Sequence, residues 1–228
     1  NYNVVVGDEA GTALTTGDQN VAVGFEALST EDAHGLNTAV GYRALKTLNA
    51  GAEGYNTAVG IDSGLSMTLG IENTLLGALT GDALTHADFN TAIGSTALGA
   101  DTLGSRSVAI GANSLNTQNF TTATNVYNVA VGYDAGTAIT TGVQNTIVGG
   151  LAGDALTDAD FNVALGVASL SSDTLGSKST ALGYGSLTNQ NFTTATDTQN
   201  TAVGFQAGTN VTTATFNTLI GSLAGTSL

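Results

Sequence analysis

The sequence predicts an all-β chain folded as a β-solenoid, and three observations carry that reading. A five-residue phrase of the type Asn-Thr-Ala-Val-Gly recurs thirteen times in 228 residues, most often 17 residues apart. Every copy ends in Gly, and the residue before that Gly is always Val, Ile or Leu. The phrase is rich in Thr, Val and Ile, which favour extended backbone, while an unvarying Gly marks a bend or a close backbone approach. A unit this short cannot bury an apolar face alone, whereas identical units stacked at the strand spacing of about 4.8 Å bury a continuous core.

With the first residue of the phrase as position 0, the coils begin at Asn3, Asn20, Asn37, Asn56, Asn73, Asn90, Ser107, Asn128, Asn145, Asn162, Ser179, Asn200 and Asn217. Successive spacings are 17, 17, 19, 17, 17, 17, 21, 17, 17, 17, 21 and 17, so the unit is 17 residues with insertions of two or four. Position +1 is Thr or Val, +2 is usually Ala, +3 is aliphatic and +4 is Gly, from Gly7 in the first coil to Gly221 in the last. Each coil reads as a short strand, a bend at +4, a second short strand over +5 to +9 and a polar loop, giving two strands per coil. Stacking then predicts a hydrophobic ridge from the +3 column and a ladder of side-chain amides from the Asn column.

Position +8 reveals a longer period. Its residues run Gly11, Leu28, Leu45, Gly64, then Gly81, Leu98, Leu115, Gly136, then Gly153, Leu170, Leu187, Gly208, and end at Gly225. All three insertions, and both Ser replacements of the column Asn, fall in the third coil of such a group. A single solenoid domain over 1–228 thus contains four-coil super-repeats at about 3–72, 73–144 and 145–216, followed by a partial coil at 217–228. The grouping predicts a surface that varies every fourth coil, where binding is to be sought.

Side chains alternate faces along a strand, and both faces here are apolar. Positions +1 and +3 share one face, read as the core ridge. The small +2 column, Ala in nine coils, reads as a close contact with another copy of the chain about an axis parallel to the solenoid, a parallel homo-oligomer.

Composition excludes several function classes. With 31 Gly but no Pro, the chain is neither collagen nor a Pro-rich linker, and without Cys it has no disulfide, thiolate metal site or thiol nucleophile. Eighteen acidic against four basic residues give a formal charge of -14, the wrong sign for neutralising nucleic-acid phosphates. The acids read as a solubilising surface. No run of 18 apolar residues is present, so no membrane span is expected. The opening Asn1-Tyr2 and the uncapped coils at both ends suggest a segment of a longer fibre or a subunit that stacks head to tail.

Little in the sequence suggests catalysis, and no enzyme, cofactor or metal site is expected. His34 and His86 stand in loops of different coils and read as surface residues. The acidic groups Asp82 and Asp88, and Asp154, Asp158 and Asp160, match no calcium-loop pattern. Candidate binding loops carry Asn119 and Phe120, and Asn191 and Phe192, at the four-residue insertions. Asn119, Asn191 and Asn210 also open N-glycosylation triplets and are candidate glycan acceptors. Thr at +1 in eight coils raises ice binding as an alternative, countered by the placement of that column beside the expected core ridge.

The phrases "NTAVGYRAL", "NVAVGFEAL", "SVAIGANSL" and "NTAVGFQAG" resemble the head repeats of trimeric autotransporter adhesins of the YadA type and the "NTAVG"-rich repeats of bacteriophage tail fibres. The resemblance covers nearly the whole chain, although its unit is longer than the coil of those adhesin heads. It implies a left-handed β-roll, a trimer of parallel chains and a place on an extracellular fibre, either a cell-surface appendage or a virion. The expected function is therefore a structural fibre segment, a rigid rod with adhesion or contact to a cell-surface glycan or receptor. The alternative is an ice-binding solenoid or a glycan-binding adhesin head.

Overall fold

The computed structural model describes residues 2–226. Among them there is no helix, and the chain forms a parallel β-solenoid of thirteen turns. It divides into two compact units, Asn1–Ser107 with Asn119–Asn125, and Val108–Gln118 with Val126–Leu228.

The first unit stacks the strands Val4–Val6, Val21–Val23, Thr38–Val40, Thr57–Val59, Thr74–Leu76 and Thr91–Ile93, each parallel to the next. The second stacks Val108–Ile110, Val129–Val131, Thr146–Val148, Val163–Leu165, Thr180–Leu182, Thr201–Val203 and Thr218–Ile220 in the same way. Every strand occupies positions +1 to +3, and every pairing joins like positions, as Ala39 with Ala58 and Ala181 with Ala202. The rest of each coil supplies the crossover that parallel strands require.

The +4 Gly is fixed by the backbone. Gly7 and Gly77 have φ of 134° and 143°, and a Cβ at either would lie 2.6 Å from the carbonyl oxygen of the Gly one coil on. Neither the dihedral nor the space admits a side chain. The Asn column is equally local in its logic. Asn20 and Asn37, Asn145 and Asn162 are buried, and the side-chain oxygen of each lower residue accepts the backbone N–H of the next, at 3.0 and 2.9 Å. Its side-chain nitrogen donates to a carbonyl fourteen residues on in the same coil, as Asn145 to Ala159 at 2.8 Å. The ladder runs chiefly from side chain to backbone. Direct amide-to-amide bonds are longer, such as Asn145 to Asn128 at 3.3 Å.

The structure corrects the expected second strand. Positions +5 to +8 form a turn, because the residue at +6 has φ between 51° and 58° and that at +8 between 49° and 73° in every coil. Left-handed residues at alternate positions curl the chain instead of extending it. Among the described residues, further strand pairs occur only beside the four-residue insertions, Gly104–Ser105 with Thr124–Asn125 and Gly176–Ser177 with Thr196–Asp197.

The faces are also reversed from the expectation. The +2 column points inward and is fully buried at Ala22, Ala39, Ala58, Leu75, Ala130, Ile147 and Ala202, while +1 and +3 face outward. The cause is width. A narrow coil fills its interior with +2, +8 and +11 together, and has no room for a ridge of branched side chains at +3.

That shared interior explains the fourfold grouping. Where +8 is Leu, as at Leu28, Leu45, Leu170 and Leu187, it is buried and +2 is Ala. Where +8 is Gly, the space goes to a large +11 residue, such as Met67, Leu84, Ile139 or Leu156, all fully buried. Leu75 and Ile147, two of the large +2 residues, lie between two such glycines. A Cβ on Gly64 or Gly81 would lie 3.0 Å from a Leu75 methyl, and one on Gly136 or Gly153 would lie 3.2 or 3.1 Å from the Ile147 Cδ1. A left-handed Leu costs roughly 1–2 kcal/mol. An unfilled cavity of Leu size costs about 3–5 kcal/mol, so filling the core decides where Leu is kept.

Candidate interaction surface

The outward face of the strands carries Thr or Val at +1 and aliphatic residues at +3, continued by +5 beyond the Gly bend. In the first unit this gives exposed Leu76 and Ile93 together with exposed Phe25, Tyr42 and Ile61. In the second it gives Leu165 and Leu182 with Tyr133, Val167, Tyr184 and Phe205. Aromatic residues on successive coils stack, Phe25 on Tyr42 at 5.4 Å between centroids and Tyr184 on Phe205 at 5.5 Å. Single exposed apolar residues are ordinary on a soluble protein, but within each unit the aliphatic +3 column and the large +5 residues of successive coils form apolar stretches, broken at +5 by Asp8, Ser95, Gly150 and Ser222.

Charged residues border these stretches. The Arg43 guanidinium lies 4.9 Å from the Tyr42 ring centroid and donates twice to the Asp62 carboxylate, at 2.8 Å each. That bond raises the Arg43 pKa further, so its charge is permanent. Lys46 donates to Glu26 at 2.7 Å. An apolar centre with a charged rim is the ordinary anatomy of an association surface.

The predicted binding-loop residues separate into two kinds. Phe120 and Phe192 are buried, each only 7% exposed, and are not available to a ligand. Their backbone N–H groups donate to the Asp at +11 of the preceding coil, Phe120 to Asp101 at 3.0 Å and Phe192 to Asp173 at 2.9 Å. The insertions are therefore anchored from inside, and their exposed parts are 121–123 and 193–195. Asn119 and Asn191 are exposed and accept from Thr102 at 3.1 Å and Thr174 at 3.4 Å, and exposed Asn210 donates to the Thr226 carbonyl.

These +11 acids were not among the residues predicted from the sequence. Glu31, Asp101 and Asp173 are fully buried and hold two loops each through backbone N–H groups. Asp173 accepts from Gly176 and Phe192 and also from the Gln190 side chain, which in turn accepts from Asn200 at 2.7 Å. The signal for them lay in the column, an acid in the second coil of each super-repeat. The surface acids singled out in the sequence serve similar ends. Asp88 and Asp160 accept backbone N–H groups of the preceding coil, from Ile71 at 2.9 Å and Val143 at 2.8 Å, and Asp158 accepts from Thr141. His86 is exposed beside a shallow open groove lined by Gly51, Leu69, Ile71 and Asp88.

No described helix is long and apolar enough to cross a membrane. In comparisons with known proteins, the chain matches no family model, no curated sequence and no solved structure.

Proposed function

We propose that the chain is a structural segment of an extracellular fibre, a phage tail fibre or a bacterial surface appendage. In this reading three copies associate in parallel through their outward strand faces and supply length and stiffness. The observation that carries it is the apolar stretches of columns +3 and +5, which in a solitary chain leave Leu165, Leu182, Tyr184 and Phe205 in water. Cross-coil bonding supports the stiffness, since each coil is tied to its neighbours by a series of backbone hydrogen bonds, such as Thr146 to Asn162, Gly149 to Val131, Leu151 to Tyr133 and Gly153 to Ser169. Adhesion is secondary and would use exposed Asn119, Asn191, Asn210 and the insertion tips toward a cell-surface glycan or receptor.

Sedimentation equilibrium tests the association. A trimer is expected, reduced to monomer by Leu182→Lys with Tyr184→Lys, with the β circular dichroism unchanged. A wild-type chain that stays monomeric at high concentration overturns the reading.

The outward +1 column favours a second reading. Thr38, Thr57, Thr74 and Thr91 stand on successive strands in register and face away from the core, so the earlier objection to an ice-binding array, a core location, does not apply. A monomer with measurable thermal hysteresis would select this function, and a trimer without it would select the fibre.

A further inference from the structure

We propose that Glu31, Asp32 and His34 bind a single divalent transition-metal ion of the zinc type. Donor atoms of the three side chains, one from each, lie within 4.8 Å of one another.

The first support is an orphaned atom. The His34 ring is 32% exposed, yet its Nδ1 is buried and has no hydrogen-bond partner among the described residues. A buried ring nitrogen needs a donor, an acceptor or an ion, and its absence from every bond calls for an explanation. Its nearest charged atom is Glu31 Oε1 at 3.8 Å. That separation is too long for a hydrogen bond. It is shorter than two zinc–ligand bonds of about 2.0–2.2 Å end to end, so one ion placed between the atoms reaches both.

The second support is internal comparison. The acid at +11 recurs as Asp101 and Asp173, where the residues at +12 and +14 are Thr102 and Gly104, or Thr174 and Gly176. Only the first super-repeat has Asp at +12 and His at +14. It also lacks the amide that satisfies Asp173, because Leu48 stands where Gln190 stands in the third super-repeat. The Glu31 carboxylate is fully buried and accepts two backbone N–H groups, from His34 at 3.2 Å and Ala50 at 3.0 Å. Each of its oxygens retains a further lone pair. The three replacements together convert a loop-holding acid into a nitrogen and oxygen ligand set.

That set selects the ion. One imidazole with two carboxylates and no thiolate suits Zn²⁺ or Co²⁺ better than Ca²⁺, which takes six or more oxygens. Exposed Asp32 can close the last few tenths of an ångström by rotation, and a water completes a four-coordinate site. The ion would tie the loop of the second coil to itself. Neither hydrolysis nor any other reaction is assigned to it.

Isothermal titration of the full chain with zinc chloride tests the site, alongside His34→Ala and His86→Ala, with circular dichroism confirming that both variants fold. The expected result is one ion per chain, an affinity lowered at least about tenfold by His34→Ala, and no change in His86→Ala. Cobalt should give visible d–d bands that disappear in His34→Ala. Absence of stoichiometric binding, or equal binding by the His34→Ala chain, overturns the proposal. So does a His34 ring whose NMR resonances titrate as a simple ion pair with Glu31 and do not move on adding zinc.

Discussion

Two neighbouring coils of the second unit solve the same interior differently. The coil of Gly153 is filled by Ile147 at +2 and Leu156 at +11, and a Cβ on Gly153 would lie 3.1 and 2.9 Å from their methyl groups. The coil of Leu170 has Ala164 at +2, Leu170 at +8 and the buried Asp173 at +11. Volume is traded among three columns on one unchanged backbone. The trade has a polar consequence, since a Leu at +8 leaves the +11 place free for an acid that holds the next loop. The acids differ too. Asp173 is satisfied on both oxygens, whereas Asp154 of the Gly153 coil has one buried oxygen without a partner among the described residues.

The comparison breaks most readily at Asp173. Replacing it by Ala strands the N–H groups of Gly176 and Phe192 in the interior and leaves the Gln190 amide nitrogen with Ser179 alone, at an expected cost of about 3–5 kcal/mol. Denaturant unfolding should show the loss, and hydrogen exchange should show the Phe192 amide opening first. Asp173→Asn, which keeps one carbonyl oxygen, should lose less.

Gly153→Leu is the next largest. Leu170 adopts φ of 53° at the equivalent place, so the backbone accepts a Leu there at the same strain of roughly 1–2 kcal/mol, and overpacking adds about 1–3 kcal/mol. Leu156→Ala in the same chain should recover part of it. A single Gly153→Leu chain that melts like the wild type would refute the idea that the columns share one volume.

The smallest effect sharpens the contrast between the acids. Burial, and secondarily the neighbouring Asp134, raises the Asp154 pKa above the ordinary value. The folded state therefore holds this proton more tightly than the unfolded chain, and stability falls as pH rises from about 4 through the raised value. Asp154→Asn should raise the melting temperature by roughly 1–3 °C at pH 7, with the gain shrinking as the pH is lowered toward 4. A gain independent of pH would assign the effect to packing. Asp82, raised by burial and by Asp62, should behave in the same way.

The coil number, the register and the Asn ladder were legible because backbone geometry dictates them: nothing but Gly fits at +4, and the Asn amide must bridge coil to coil. The facing of the strand was not. Thr-Ala-Val is apolar on both sides, and the rule that the bulkier aliphatic goes inside fails in a coil too narrow for it. The turn at +5 to +8 was hidden for a different reason, since Glu26, Arg43, Leu79 and Ala168 take left-handed φ without any residue preference announcing it. Phe120 and Phe192 looked like loop aromatics. Their burial was encoded one coil earlier, in Asp101 and Asp173, and became readable only once +11 was known to face inward.

The seating of Leu75 between Gly64 and Gly81 has an evolutionary consequence. Removing one coil would bring a Leu column against a neighbour shaped for another phase, whereas gaining or losing four coils restores the Gly-Leu-Leu-Gly order of the +8 column. Length is thereby quantised in blocks of 70 or 72 residues. Unequal recombination between super-repeats can lengthen or shorten the protein in a single event, and each product inherits a core that already fits.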